Sequence, residues 1–128
     1  TTYLNVPYSA RAEAKAKGLA WDIGKSFDFS APISEIVPTA AIADLASHTL
    51  TLAVNGERRQ HGAFADLIWN VPDILHELSK LYALRAGDLI FMGTPAGVGA
   101  LQVGDTYLAS IDGVVELNGL IAPPLVQR

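Results

Sequence analysis

Residues 49–61 read TLTLAVNGERRQH, and this stretch gives the clearest indication of local structure in the chain. Apolar and polar side chains alternate through Thr49–Val54, which is the pattern of a half-buried β-strand. Asn55 and Gly56 follow, a pair typical of two-residue hairpin turns because it tolerates the positive φ angles that such turns need. Residues 57–61 form the returning arm. We therefore predict a β-hairpin and, with it, antiparallel sheet.

A second hairpin is predicted near the end of the chain. The strand candidate Thr106–Ile111 is followed by the turn pair Asp112 and Gly113 and by a returning arm over residues 114–117. Residues 89–92, LIFM, form a short apolar run after a glycine-containing turn, which is typical of a buried strand. Strands therefore account for most of the predicted structure in the second half of the chain.

Two helices are predicted. Residues 71–83, VPDILHELSKLYA, carry apolar side chains at the spacing of a helix with one buried face, and Pro72 and Asp73 suit its first turn. Residues 9–17 are rich in helix formers and are followed by Gly18 as a stop signal. Because helices do not alternate with single strands, the pattern favours an α+β, mainly β fold: a mixed β-roll or sandwich with two short helices.

The composition limits the possible functions. The 128 residues suffice for one core, and we predict a single domain. A net charge of -4 opposes nucleic-acid binding, and no apolar run reaches the roughly 18 residues of a membrane span. The absence of cysteine fits the reducing cytoplasm, where we expect the protein to be located. Because 50% of the residues are hydrophobic, we expect an apolar surface that is buried against another chain.

Two loops contain candidate functional residues. Lys25 lies in the sequence GKSFD, within the most apolar loop, where a partly desolvated ammonium would bind a carboxylate or an enolate. Thr94 follows Gly93 in the glycine-rich residues 93–99, GTPAGVG, so its hydroxyl and the neighbouring N–H groups are candidates to hold a ligand oxygen. A solvated lysine and a strand-end turn without a ligand are the alternatives, and the residues alone leave them open.

Three other kinds of site find no support. Residues 93–99 lack the Gly-Lys-Ser/Thr ending of a P-loop, and no Gly-x-Ser-x-Gly nucleophile elbow occurs. His48, His61 and His76 lack the spacing of a helical zinc site and are expected to be solvated or packed. The arm residues Arg59 and Gln60 receive no role. Four large side chains are expected in the core or at an interface: Phe64, Trp69, Leu75 and Tyr82.

Several motifs in a fixed order point to a known family. They are GKSFDFSAPISEIVP at 24–38, VNGERRQ at 54–60, LIWNVPDILHELSKLYALRAGDLIFMGTPAGVG at 67–99 and VGD at 103–105. Together they resemble the C-terminal portion of the fumarylacetoacetate hydrolase family, and within it the bacterial fumarylpyruvate and acylpyruvate hydrolases. The resemblance covers about residues 13–118, whereas residues 1–12 diverge from the family pattern.

The resemblance implies a mixed β-roll or sandwich and a homodimer. It also implies a Mg²⁺- or Mn²⁺-dependent enzyme of aromatic compound catabolism. Its substrate would be a β-diketo acid such as fumarylpyruvate or another acylpyruvate, cleaved at a carbon–carbon bond to pyruvate and a carboxylic acid. By position, Lys25 matches the family's active-site lysine, and Thr94, with Gly93, matches the threonine that contacts the substrate carboxylate.

The departures from the family concern the metal and the water. The family's Glu-x-Glu metal pair and lid His/Glu pair are not found in this chain, and its third metal carboxylate would fall near Leu4. The metal ligands are therefore unknown, and we expect an N-terminally truncated member that hydrolyses its substrate weakly or not at all by itself. The alternatives are a noncatalytic binding or dimerisation remnant, and complementation by a separate polypeptide that supplies the upstream ligands.

Overall fold

The computed structural model describes residues 2–5, 16–18 and 29–123. These residues form five strands: β1 (Thr2–Asn5), β2 (Thr49–Val54), β3 (Glu57–Ala63), β4 (Thr106–Ile111) and β5 (Val115–Ala122). The strands lie in one sheet in the order β1-β5-β4-β2-β3. Neighbouring strands are antiparallel, except that β1 runs parallel to β5. The mainly β prediction is confirmed.

Both predicted hairpins are present. Asn55 and Gly56 connect β2 to β3 with φ angles of 51° and 82°, the left-handed geometry that their sequence predicts. The second hairpin turns at Gly113, whose φ is 69°, and the backbone N–H of Val114 donates to the carbonyl of Ile111. Its returning strand, β5, extends further than residues 114–117.

A β-bulge changes the alternation of side chains in β3. Leu52 pairs with Gln60, but the next residue of β2, Ala53, pairs with Arg58, so that Arg59 is the extra residue. A bulge of this kind redirects the side chains around it. Arg58 and Arg59 are consequently both exposed, whereas the side chain of Gln60 is buried.

One face of the sheet is apolar. Side chains two residues apart share a face, and the strand register brings together nine of them on β2, β4 and β5: Leu50, Leu52, Val54, Tyr107, Ala109, Ile111, Val115, Leu117 and Ile121. The buried hydrophobic side chains of the described residues are Val54, Tyr107 and Ile121, all on this face. Burial raises the pKa of the Tyr107 phenol above its ordinary value of 10.0.

Asn55 also joins the first hairpin to the start of β4. Its side-chain oxygen accepts a hydrogen bond from the backbone N–H of Thr106 at 2.9 Å, and its amide donates to Asp105 Oδ1 at 2.8 Å. The backbone N–H of Gln102 donates to Asp105 Oδ2 at 2.7 Å. The Gln102 bond and then the Asn55 bond hold the pKa of the Asp105 carboxyl below its ordinary value of 3.8.

The predicted helix over residues 71–83 is confirmed, but it is shorter: α1 spans Val71–Ser79. Asn70 caps its start, because the Asn70 side-chain oxygen accepts the backbone N–H of Asp73 at 2.9 Å. In the described ranges, no helix is long and apolar enough to cross a membrane. Three short 3-10 turns complete the secondary structure: Thr39–Ala41, Leu45–Ser47 and Phe64–Asp66.

The body of the other predicted helix, over residues 9–17, lies outside the described residues. Only its end is described: Ala16 is helical, and Lys17 and Gly18 form a turn. Gly18 has a φ of 62°, the left-handed conformation in which glycine commonly ends a helix.

The strand predicted over residues 89–92 is wrong, because the structure has no strand there. Leu89 is 57% exposed and Phe91 is 71% exposed, whereas Ile90 and Met92 are half-buried. A strand needs a neighbour that satisfies its backbone hydrogen-bonding groups, and none of the described strands pairs with residues 89–92. This segment is therefore an extended chain without a sheet partner in the described part of the protein.

Large apolar side chains in α1 and on either side of it are also exposed. Trp69, Leu75 and Tyr82 are exposed, so they lie outside the core of this chain, and Phe64 is half-buried. Ile68 is 95% exposed. The sequence predicts the first four of these side chains in the core or at an interface. The core alternative is wrong for Trp69, Leu75 and Tyr82 because the apolar sheet face is the centre of burial and α1 buries no side chain fully. The interface alternative stays a prediction.

Candidate functional site

The predicted site residues fall into two groups. Thr94 and Gly93 lie in the loop of residues 93–99, which crosses β3 at the edge of the sheet. Lys25 lies outside the described residues, so its position relative to Thr94 stays a prediction. The site described below is therefore the Thr94 side of the predicted pair.

The 93–99 loop lies very close to the backbone of β3. A Cβ atom added to Gly97 would overlap the carbonyl oxygen of Arg59, and one added to Gly62 would lie 3.0 Å from Pro95 Cβ. Gly97 also has a φ of 102°, which other residues rarely adopt. Glycine at position 97 is therefore needed for the loop to approach the strand.

Gln60, on β3, holds the loop by two hydrogen bonds. Its side chain is 8% exposed, the one buried polar side chain in the described residues. Its amide nitrogen Nε2 donates one hydrogen bond to Thr94 Oγ1 at 2.9 Å and another to the Pro95 carbonyl at 2.7 Å. The bulge at Arg59 turns Gln60 inward and so makes both bonds geometrically accessible.

Sequence reasoning gave no role to Gln60. The available signal was the run Arg58-Arg59-Gln60, in which three polar residues interrupt a strand that should alternate. Such an interruption is compatible with a bulge, but it does not reveal which side chain is turned inward. The contact with Thr94 joins residues far apart in the sequence, so local pattern alone could not predict it.

A cleft of about 640 Å³ opens beside Thr94, between the β2–β3 hairpin and α1. Its wall is mostly apolar, and its few polar side chains are His61, Asp66 and Thr94. The apolar side chains that line it include Leu50, Phe64, Leu67, Ile68, Trp69, Ile74 and Met92. A mostly apolar cleft with a few polar groups is the usual form of a small-molecule site.

The histidines have structural contacts. The Asp112 carbonyl can only accept a hydrogen bond, so the 2.8 Å contact from His48 Nδ1 requires the proton to be on Nδ1. His61 Nδ1 lies 3.3 Å from Thr51 Oγ1, across the hairpin. His61 therefore contributes an exposed polar group to the cleft, and His48 links the start of β2 to the turn between β4 and β5.

The metal that the family resemblance implies does not fit the residues seen here. In the described ranges, no group of three or more His, Asp or Glu side chains converges closely enough to hold a metal ion. His61 and Asp66 are the only His, Asp or Glu side chains that line the cleft in those ranges, and the cleft thus offers a single carboxylate to a divalent cation that prefers oxygen ligands. The described residues therefore form a cleft but no complete metal centre.

Comparison with known proteins identifies the family. Residues 4–122 match the family model for the fumarylacetoacetate (FAA) hydrolase C-terminal domain. The chain belongs to this family. The fumarylpyruvate hydrolase of Pseudomonas aeruginosa, solved in complex with Mn²⁺ and pyruvate, superimposes with a TM-score of 0.79 at 38% identity, over 92% of this chain and 50% of that one.

Relatives in the family differ in their described activities. The mitochondrial oxaloacetate tautomerase FAHD1 of Rattus norvegicus is 47% identical over 106 residues, which are 83% of this chain and 48% of the rat protein. The fumarylpyruvate hydrolase of Ralstonia sp. is 39% identical over 110 residues, 86% of this chain and 57% of that protein. This FAA hydrolase family chain thus spans about half the length of the curated relatives it matches.

Proposed function

We propose that this chain binds the pyruvate end of a β-diketo acid such as fumarylpyruvate, within an enzyme that hydrolyses the carbon–carbon bond of that acid. The observation that carries the proposal is the Thr94 loop, fastened by Gln60 at the rim of the apolar cleft. Pyruvate is a product of this cleavage, and the relative from Pseudomonas aeruginosa was solved with Mn²⁺ and pyruvate.

The Thr94 loop has the chemistry to bind a carboxylate. Thr94 is exposed, so its hydroxyl is accessible to a ligand. An added Cβ at Gly93 would meet no atom within 4 Å, which leaves room for a ligand oxygen beside the backbone. Hydrogen bonds to a charged acceptor are shorter and stronger than neutral ones, so a hydroxyl donor at this position favours a carboxylate.

The apolar wall of the cleft would hold the acyl chain of the substrate. Trp69, Phe64 and Met92 line the same cleft as Thr94. In the overall reaction one water is consumed: its oxygen ends in the carboxylic acid, the electron pair of the broken bond passes to the pyruvate enolate, and the enolate takes up a proton. Lys25 is the proposed cation beside that enolate, since a fixed positive charge stabilises the developing negative charge.

Tautomerisation of oxaloacetate is a second candidate, favoured by the 47% identity to the rat FAHD1 protein. Both reactions proceed through the enol or enolate of a 2-oxo acid with a carboxylate next to the keto carbon. The same Thr94 contact would serve either reaction. The two reactions differ because hydrolysis also needs a water to attack a second carbonyl. Among the described residues, no side chain that could act as a base for this water is in contact with Thr94.

Absorbance assays separate the two candidates. The enol band of fumarylpyruvate or acetylpyruvate should decline slowly or not at all with the purified chain, with or without added Mg²⁺ or Mn²⁺. Addition of an N-terminal segment from a family member should restore hydrolysis, seen as a decline of the enol band, if that segment supplies the remaining groups. Conversion of enol-oxaloacetate without loss of the fumarylpyruvate band would favour the tautomerase. Rapid metal-dependent hydrolysis by the chain alone would contradict the expectation of weak activity.

Pyruvate binding tests the proposal directly, without turnover. Replacing Thr94 with valine removes the hydroxyl and keeps the shape, so the Kd for pyruvate should rise by about tenfold or more, the usual effect of a lost hydrogen bond to a charged group. Thr39→Val is the matched control, because Thr39 is exposed and does not line the cleft. Equal affinity of wild type and Thr94→Val, measured by NMR titration, would overturn the carboxylate site.

We also propose a homodimer. The exposed apolar side chains Ile68 and Phe91, at 95% and 71% exposure, support an interface because solvent exposure of such groups is unfavourable. Sedimentation equilibrium should give twice the chain mass of 13.6 kDa. A stable dimer that shows no metal-dependent thermal shift and no pyruvate binding would instead support the noncatalytic remnant.

A further inference from the structure

We propose that Gln60 is a positioning residue that directs the Thr94 hydroxyl proton towards the ligand. This inference rests on the proposed function, since it concerns how Thr94 binds the carboxylate. Gln60 itself does not touch the ligand; its side chain is buried beneath the 93–99 loop.

The orientation of the Gln60 amide follows from its partners. The Pro95 carbonyl can only accept a hydrogen bond, so the amide nitrogen, and not the amide oxygen, must face it. That nitrogen carries two hydrogens. One is donated to Pro95 and the other to Thr94 Oγ1. Both donors are therefore used, and Thr94 Oγ1 acts as the acceptor in this pair.

The consequence falls on the single hydrogen of the Thr94 hydroxyl. Because the oxygen accepts from Gln60, its own hydrogen must point away from that amide. Thr94 makes no other side-chain hydrogen bond within the described residues, and it lines the cleft. The hydroxyl is thus left as a donor on the solvent side, where a carboxylate would accept from it. A hydroxyl without such a partner would rotate freely and would lose orientational freedom on binding.

The surroundings keep this arrangement rigid. Gln60 is 8% exposed, and Gly97 brings the loop against the Arg59 carbonyl, so the amide cannot turn without moving the loop. A donor that is oriented before the ligand arrives binds more tightly, because little reorganisation is needed on binding.

Changing the polarity of residue 60 tests the inference. Gln60→Glu keeps the shape, but an ionised carboxylate can only accept hydrogen bonds. It would accept a hydrogen bond from the Thr94 hydroxyl, which would leave the lone pairs of Thr94 Oγ1 facing the ligand. The Kd for pyruvate should rise by about tenfold. Affinity should partly return at low pH, where the protonated carboxyl can donate again. Gln60→Leu removes the hydrogen bond to the Thr94 hydroxyl without reversing its direction, so it should raise the Kd for pyruvate by less than Gln60→Glu.

A double-mutant comparison separates positioning from general disruption. In a Thr94→Val background, Gln60→Glu should weaken pyruvate binding no further, because the hydroxyl on which Gln60 acts is gone. An equally large effect in both backgrounds would mean that Gln60 only supports the loop, and would overturn the inference. Thermal melts of each variant verify that the affinities are measured on folded protein.

A second readout needs no ligand. The two side-chain amide protons of Gln60 should exchange slowly with water, and Thr94→Val should shift their NMR signals; exposed Gln102 is the matched control. Exchange as fast as that of Gln102 would overturn the inference while leaving the proposed function standing. Slow exchange in a wild-type chain that binds no pyruvate would overturn the proposed function and the ligand-directed role of Gln60, but not the contact itself.

Discussion

Replacing Gly97 with alanine should detach the 93–99 loop from β3. The φ angle of 102° alone costs a non-glycine residue about 1–3 kcal/mol. The added Cβ would also overlap the Arg59 carbonyl, so the loop must move away from the strand. That movement breaks the two hydrogen bonds of Gln60, each worth about 1 kcal/mol net. The free energy of unfolding should therefore fall by about 3–5 kcal/mol in total.

Gly87→Ala is the matched control for this change. Gly87 has a φ of 99°, almost the same as that of Gly97, but an added Cβ there meets no atom within 4 Å. The two variants share the backbone strain and the altered unfolded state, so their difference isolates the collision with Arg59.

Urea unfolding followed by tryptophan fluorescence measures both variants, and pyruvate titration shows whether the site is lost. Gly97→Ala should be less stable than Gly87→Ala by about 1–3 kcal/mol and should bind pyruvate more weakly. Equal stabilities and equal affinities would refute the close contact between the loop and the strand.

Three further changes probe the rest of the fold by urea unfolding. Ile121→Ala should cost about 2–5 kcal/mol because Ile121 is 1% exposed, whereas the exposed Leu108 should tolerate alanine; similar losses would contradict the location of the core. Asn70→Ala should cost about 0.5–2 kcal/mol through loss of the α1 cap, and an unchanged stability would argue against that cap. The pKa of Asp105 is lowered in the folded protein, so its carboxylate stabilises the fold at any pH above its ordinary pKa of 3.8. This stabilisation is lost as the pH falls through the lowered pKa of the folded state. Asp105→Asn should therefore reduce stability at about pH 7 and flatten its acid dependence, and an unaltered acid profile would contradict the role of this carboxylate.

Local sequence signals predicted the local structure. Asn55 and Gly56 specify their turn through the φ angles they tolerate, which depend on no distant residue. The start of α1 was likewise predictable from Pro72 and Asp73. The end of the helix was not, because the apolar pattern continues to Tyr82 while the structure leaves Leu81 and Tyr82 exposed, so no packing holds another turn.

The failures all concern long-range contacts. The apolar run at 89–92 has the composition of a buried strand, but burial requires a neighbouring strand that the run itself does not specify. Gln60 reaches Thr94 only because a bulge turns it inward and a distant loop passes over it. The family resemblance predicted Thr94 as a site residue, but it did not predict the contact between Thr94 and the Gln60 amide.

The parallel pairing of β1 with β5 has a consequence for the order of folding. Thr2 lies opposite Gly119, so this pairing closes a loop that contains almost the whole chain, whereas the two hairpins close loops of only a few residues. Because the entropic cost of closure rises with loop length, the hairpins should form early and β1 should join the sheet last. Of the five described strands, β1 would then be the last to be incorporated, and during synthesis it would wait for β5 to emerge from the ribosome.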